Sequence, residues 1–211
     1  MTETSAKIAV VDDDPSVRQA FVRLLRAAGH GADAYACAGD LLAHPSLGEF
    51  GCILLDVDLP DLNGLELQAT LEQLDYAPPI VFITGHGDIP MTVRAMQAGA
   101  VDFLTKPCEA DRILRAVVRA LQIGCERRHQ HEVLAGERAR LDSLSPREHE
   151  VLAGVVMGLR NKQIAAQLGI CEKTVKVHRA HVMEKMGVRS LADLVRLAER
   201  AGVGTETDSR G

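Results

Sequence analysis

The 211 residues include no tryptophan, four phenylalanines and two tyrosines. That is too little aromatic surface for an aromatic-lined ligand pocket or for a platform on which single-stranded bases stack. Cysteine is also sparse: five residues (37, 52, 108, 125 and 171), an odd number with no C-x-x-C pair. Neither a disulfide framework nor a zinc site is expected, and a reducing, cytoplasmic compartment fits. No apolar run approaches the ~20 residues of a membrane span, and residues 1–6 are too polar and too few for a signal peptide. What is present is an ordinary globular mixture, 46% hydrophobic and 25% charged, enough for a core in each of two small domains. The charge is unevenly spread. Residues 1–125 carry 9 basic against 17 acidic side chains, residues 126–211 carry 15 against 12, and the stretch 144–200 carries 10 against 6. An acidic half joined to a mildly basic one suggests that the second half meets a polyanion while the first does something else.

The first half alternates short apolar runs (7–11, 32–36, 51–55, 80–83, 101–104) with helix-patterned stretches (15–28, 39–44, 65–74, 89–98, 111–123). Apolar runs of this kind between helices predict a parallel sheet covered on both faces. Five β–α units in this length fit the flavodoxin-like doubly wound order. The fold class expected is therefore α/β, a flavodoxin-like doubly wound five-stranded parallel sheet, followed by a small all-α four-helix domain with a helix-turn-helix. Residues 126–140 are dense in Glu, Arg and His and read as a solvated helix continuing the one before. The expected divisions are 1–123, a helical linker 124–143, a second domain 144–203 and a disordered tail 204–211.

Ligands of such sheets bind at the carboxyl ends of the strands. There the sequence places Asp12-Asp13-Asp14, then Asp56 with Asp58, then Thr84, then Lys106-Pro107. Carboxylates brought together repel, and a hard divalent cation such as Mg²⁺ relieves them while keeping waters for a phosphate oxygen. A carboxylate beside that ion can attack a phosphoryl group, with Thr84 donating to the phosphate and Lys106 pairing with it.

In the second half, Ser145-Pro-Arg-Glu148 is an N-cap, an N1 proline and a capping-box glutamate in register. Residues 161–168, a Gly169 turn and residues 172–186 have the spacing of a helix-turn-helix. Helical periodicity puts Val175, His178, Val182 and Met186 on the inner face. It leaves Lys173, Lys176, Val177 and Ala180 outside, with Thr174 and His181 on the flanks. Such a face offers donors to phosphates and bases and small apolar groups to a thymine methyl; Lys162 and Arg179 suit phosphates. His178 and His181 stand three apart, but the sequence supplies no further ligand that would make them a metal pair.

The strings Ile8-Ala-Val-Val-Asp-Asp-Asp14, Leu54-Leu-Asp56, Leu59-Pro-Asp-Leu-Asn-Gly64, Ile83-Thr-Gly-His-Gly-Asp88 and Ala98-Gly-Ala-Val-Asp-Phe-Leu-Thr-Lys-Pro107 resemble a two-component receiver domain. Ser145-Pro-Arg-Glu148 through Thr174-Val-Lys-Val-His-Arg179 resembles a LuxR-type DNA-binding domain. Together, from residue 7 to 201, the chain resembles a response regulator of the NarL/FixJ family, and residues 84–107 resemble the FixJ-type branch in particular. The resemblance implies that Asp56 accepts a phosphoryl group from a sensor histidine kinase. It implies that Asp13, Asp56 and the backbone carbonyl of Asp58 hold Mg²⁺, with Asp12 acting through water. Thr84 and Lys106 would grip the phosphate, the Lys106–Pro107 bond would be cis, and Phe103 would turn inward as Thr84 moves to the phosphate. Lys176, Val177 and Ala180 would face bases, and Leu191, Leu194 and Val195 would form the contact of a homodimer when phosphorylated. Promoter DNA is the implied target, with RNA polymerase a further partner. Two positions depart from the pattern. Asp58 stands where this branch often has a basic or neutral residue; it is expected to tighten Mg²⁺ binding and to alter the life of the acyl phosphate through His86. Cys108 stands where Phe is common and reads as a small apolar side chain.

Three rivals are weaker. A haloacid-dehalogenase-like phosphohydrolase would use Asp56 and Asp58 as its D-x-D pair, but its nucleophile lies on the first motif strand and no cap domain is present. The acidic cluster and the lack of tryptophan disfavour a small-molecule-sensing LuxR-type regulator. A regulator that never uses phosphate would not need the full Asp12, Asp13, Asp56, Thr84 and Lys106 set. The reading is therefore a DNA-binding switch and not an enzyme.

Overall fold

The computed structural model describes residues 6–200, and the chain falls into two compact units that divide between His129 and Gln130. The first is built on five parallel strands, β1 (Ile8–Val11), β2 (Ala32–Tyr35), β3 (Cys52–Leu55), β4 (Ile80–Thr84) and β5 (Asp102–Thr105), in the spatial order β2-β1-β3-β4-β5. β1, β3 and β4 are buried throughout because both faces are covered, which is why they carry unbroken apolar runs. Alternate residues supply two cores. Val11, Ile53, Leu55, Phe82 and Phe103 pack with α2 (Ala38–Leu42), α3 (Gly64–Leu71) and α4 (Ile89–Gln97). Ile8, Val10, Leu54, Ile83 and Leu104 pack with α1 (Pro15–Ala27) and the start of α5 (Ala110–Asp142). Cys108 packs against this second core, half-buried.

Several element boundaries differ from the sequence expectation. β5 starts one residue later than the apolar run. α3 starts at Gly64 and ends at Leu71: Asn63 and Glu66 form a capping box, while Leu74 lies beyond the helix and half-exposed. The largest difference is α5, a single helix of 33 residues that runs through the whole stretch expected as a linker. Its early part is tied to the first unit: the Gly124 carbonyl accepts from the Tyr76 hydroxyl and Arg128 donates to the Phe50 carbonyl. Its last turns belong to the second unit, where Leu141 and Glu137 are buried and Glu137 pairs with Arg200 at 2.5 Å. Among the described residues no helix is long and apolar enough to cross a membrane. The expected tail 204–211, and residues 201–203 of the expected second domain, lie outside the described residues.

The second unit adds α6 (Pro146–Val156), α7 (Asn161–Leu168), α8 (Glu172–Met186) and α9 (Leu191–Arg200). Gly169 closes α7 at φ +66°, a left-handed backbone that side chains disfavour, and so permits the short turn into α8. One core joins Leu141, Leu144, Val151, Leu152, Val155, Ile164, Val175, Val182, Met186, Leu194 and Leu197. At its edge the Glu148 carboxylate, almost wholly buried, accepts from Lys185 Nζ and from the Ser145 N–H, both at 2.7 Å. Those bonds, Lys185 first, hold its carboxyl at about 2 instead of 4.5. The stability they contribute is complete above about pH 4.5 and is lost as the pH falls towards 2. Glu148→Gln should therefore lower the melting temperature of the full chain's second unit at pH 7 by roughly 10 °C, as expected for a charged hydrogen bond in a small domain. Circular-dichroism melts should show that gap narrowing steadily between pH 4.5 and pH 2.

Candidate phosphoryl site and DNA-reading helix

Strand register assembles the acidic site. Val11 pairs with Leu55 across the β1–β3 ladder, and the ladder continues as the Asp56 N–H donates to the Val11 carbonyl at 2.8 Å. The next residues, Asp12 and Asp56, thus emerge side by side at the strand ends. Thr84 pairs with Thr105 across β4 and β5, and the Lys106 N–H donates to the Thr84 carbonyl at 2.7 Å. From there the Lys106 side chain reaches back so that Nζ lies 2.6 Å from Asp12 Oδ2 and 2.5 Å from Asp56 Oδ2. The Lys106–Pro107 bond is cis.

Asp12 and Asp56 are both buried, Asp13 exposed, and one carboxylate oxygen from each lies within 4.8 Å of the others. Among the described residues this is the one group of three or more acidic, histidine or cysteine side chains close enough to share an ion. Burial raises the Asp12 carboxyl above its ordinary value despite the bond from Lys106. Burial would also lower Lys106, but its bonds to Asp12 and Asp56 outweigh that and raise it. The oxygen-only donor set and surplus negative charge match a hard divalent ion.

Asp14 takes another part: its carboxylate caps α1, accepting from the N–H groups of Ser16 and Val17. Asp58 turns its carboxylate away from the cluster. Its Oδ2 accepts from the Thr84 hydroxyl at 3.2 Å and lies 3.6 Å from His86 Nδ1, while its N–H donates to Asp56 Oδ1. Phe103 is buried against Phe82, ring centroids 5.8 Å apart, while Thr84 is bonded to Asp58. A Cβ at position 87 would lie 2.8 Å from the Phe103 ring, so glycine there leaves the ring its space.

Two contributors carry little signal in the sequence. Arg18 donates to the carbonyls of Asp12 and Asp13, fixing the loop that carries both carboxylates; its place four residues beyond the cap Asp14 is the available clue. Gly64 lets the start of α3 press against the end of β3. A Cβ there would lie 2.5 Å from the Asp56 carbonyl oxygen and 2.9 Å from Val57 Cα.

On α8, Lys173, Lys176, Val177, Ala180 and His181 are exposed and Thr174 half-buried, while Val175, Val182 and Met186 face the core. His178 is half-buried on the inner side. Lys162 is exposed. Arg179 is half-buried and bound to Asn161 Oδ1 at 2.6 Å. His181 Nδ1 lies 3.7 Å from Glu148 Oε1. The expected dimer set needs one correction. Leu194 is only 1% exposed because it fills the core of its own domain, whereas Leu191 is 46% exposed and Val195 partly so.

Residues 8–118 match the response regulator receiver domain, and residues 142–198 match the bacterial regulatory proteins of the luxR family. The chain belongs to the response regulators. Nodulation protein W of Bradyrhizobium diazoefficiens is 47% identical over 204 residues, covering 96% of this chain and 90% of that protein. The transcriptional regulatory protein FixJ of the same species is 43% identical, covering 95% of this chain and 98% of that protein. A solved structure of the response regulator StyR, 48% identical, covers 92% of this chain and 98% of its own at a TM-score of 0.79. This response regulator is a phosphorylation-dependent, DNA-binding transcription factor of the NarL/FixJ kind. Its receiver implies a sensor kinase as partner, and its LuxR-type domain implies DNA. Receivers bind Mg²⁺ at an acidic cluster, and Asp12, Asp13 and Asp56 form such a cluster here.

Gly64→Ala should test how closely helix and strand are fitted. Urea unfolding should show a loss of about 2 kcal/mol, since the new methyl meets backbone that cannot move aside cheaply. The atom it meets first is the carbonyl oxygen of Asp56, so the end of β3 shifts with it.

Proposed function

We propose that Asp56 is the phosphoacceptor of this response regulator, and that Asp12, Asp13, Asp56 and the Asp58 carbonyl hold the metal, Mg²⁺. The observation that carries the reading is the shared Lys106 ammonium between Asp12 and Asp56 at the carboxyl end of a parallel sheet. Bound Mg²⁺ would neutralise charge on the phosphoryl oxygens. An Asp56 carboxylate oxygen attacks phosphorus while the bond to the histidine nitrogen of the kinase breaks, its electron pair leaving with that nitrogen. Lys106 then pairs with a phosphoryl oxygen in place of the Asp56 carboxylate it holds here, and Thr84 donates to another. Packing around Phe103 carries the change onward. Residues 1–123 serve as receiver and 144–203 as reading head, with the helix between them shared by the two compact units.

In the reading head, Lys173, Lys176, Val177, Ala180, Thr174 and His181 meet the major groove, and Lys162 and Arg179 its phosphates. Phosphorylation favours a homodimer with Leu191 and Val195 at the contact, reading two half-sites. The DNA-bound dimer presents itself to RNA polymerase in the cytoplasm, and the acyl phosphate is a signal, not a turnover intermediate of an enzyme.

Incubation of the full chain with Mg²⁺ and acetyl phosphate should add about 80 Da, one phosphoryl group, to wild type and nothing to Asp56→Asn, with hydroxylamine removing it. An equal gain in both proteins would place the phosphate elsewhere. On random-sequence duplex DNA, Lys162→Ala should lower the slope of log affinity against log salt by about 1, the signature of one lost phosphate contact.

A further inference from the structure

The Thr84 hydroxyl has one proton to donate. In this structure it goes to Asp58 Oδ2 at 3.2 Å, while the Thr84 oxygen accepts from the His86 N–H at the same distance. Thr84 is wholly buried, so its hydroxyl does not reach solvent in this arrangement. Asp58 is fixed from two more sides. Its N–H is on Asp56 Oδ1, and its carboxylate faces His86 Nδ1 at 3.6 Å. One residue therefore touches both the acceptor carboxylate and the hydroxyl that must meet the phosphate.

We propose that the Asp58 carboxylate is a latch on Thr84: it competes with the phosphoryl group for the single hydroxyl proton and so sets the threshold of the switch. Asp58 acts here as a positioning residue, separately from its backbone carbonyl. While Thr84 donates to Asp58, it cannot donate to an oxygen on Asp56. The phosphoryl group must break that bond before it gains its own, and this part of its binding energy is spent on release. Because the Asp58 side chain is half-exposed, the penalty is that of a solvent-screened bond, smaller than that of a buried one.

The inference rests on Asp56 as phosphoacceptor, and trifluoroberyllate, a tetrahedral stand-in for a phosphoryl group on a carboxylate, tests the two separately. Its affinity for the full chain at saturating Mg²⁺ is read by ¹⁹F NMR in wild type, Asp58→Ala, Asp58→Asn, Thr84→Ala and the Asp58→Ala/Thr84→Ala pair. The latch predicts that Asp58→Ala binds about three- to tenfold more tightly than wild type. Asp58→Asn, which keeps a neutral acceptor, falls between them. Removing the carboxylate from the Thr84→Ala protein changes nothing, since no hydroxyl remains to release. If Asp58→Ala binds no better, Asp58 does not restrain Thr84, and if the same gain persists without the Thr84 hydroxyl, Asp58 acts by charge alone; either result overturns the latch. Binding to Asp56→Asn as tight as to wild type would overturn the phosphoacceptor assignment, and the latch with it.

Discussion

The ammonium of Lys106, 2.6 Å from one buried carboxylate and 2.5 Å from another, is the contact around which the receiver's site is arranged. Asp12 and Asp56 are forced together by the parallel register of β1 and β3, and two charges so placed need a third of opposite sign. The strand that supplies it lies at the far edge of the sheet, so the ion pairs join β1, β3 and the loop after β5. Any group that draws Lys106 away must replace its charge. On the proposed assignment, Mg²⁺ would supply that charge when a phosphoryl group on Asp56 draws Lys106 to itself.

This makes the site a balance of competing partners. Lys106 is shared between two carboxylates, the Thr84 hydroxyl is held by Asp58, and the loop carbonyls of Asp12 and Asp13 are held by Arg18. Lys106 and Thr84 each have a satisfied partner here and, on the proposed assignment, a second one that a phosphoryl group on Asp56 would supply. Discrete exchanges of this sort give a switch two states instead of a continuous deformation. The second unit has its own charged contact, between α6 and α8. Glu148 there is fully engaged by Lys185 and Ser145, which fixes α6 against α8 and leaves Lys173, Lys176, Val177 and Ala180 on a firm outer face.

The strands are legible in the sequence because a sheet buried on both faces leaves continuous apolar runs, and the strand-end Asp12, Asp56, Thr84 and Lys106 follow from them. The length of α5 is only half legible. Its residues beyond 123 are mostly solvated, so no apolar stripe marks where one unit ends, and Glu137 and Leu141 are buried by contacts distant in sequence. Leu194 departs from expectation because a leucine on an amphipathic helix gives the same periodicity whether it faces its own core or a partner. The direction of the Asp58 side chain is out of reach for another reason. It depends on a rotamer chosen by Thr84 and His86, which lie 26 and 28 positions away.

On the proposed assignment, charge placed on Asp56 changes what the second unit does with DNA, and the affinity of the full chain for a duplex selected from a random pool reads that change. Fluorescence anisotropy gives it with and without Mg²⁺ and acetyl phosphate. The donor should tighten wild-type binding by about tenfold or more, within the usual range of allosteric coupling, and leave Asp56→Asn unchanged. Equal affinities for wild type with and without the donor, under conditions where the acyl phosphate is present, would contradict the coupling.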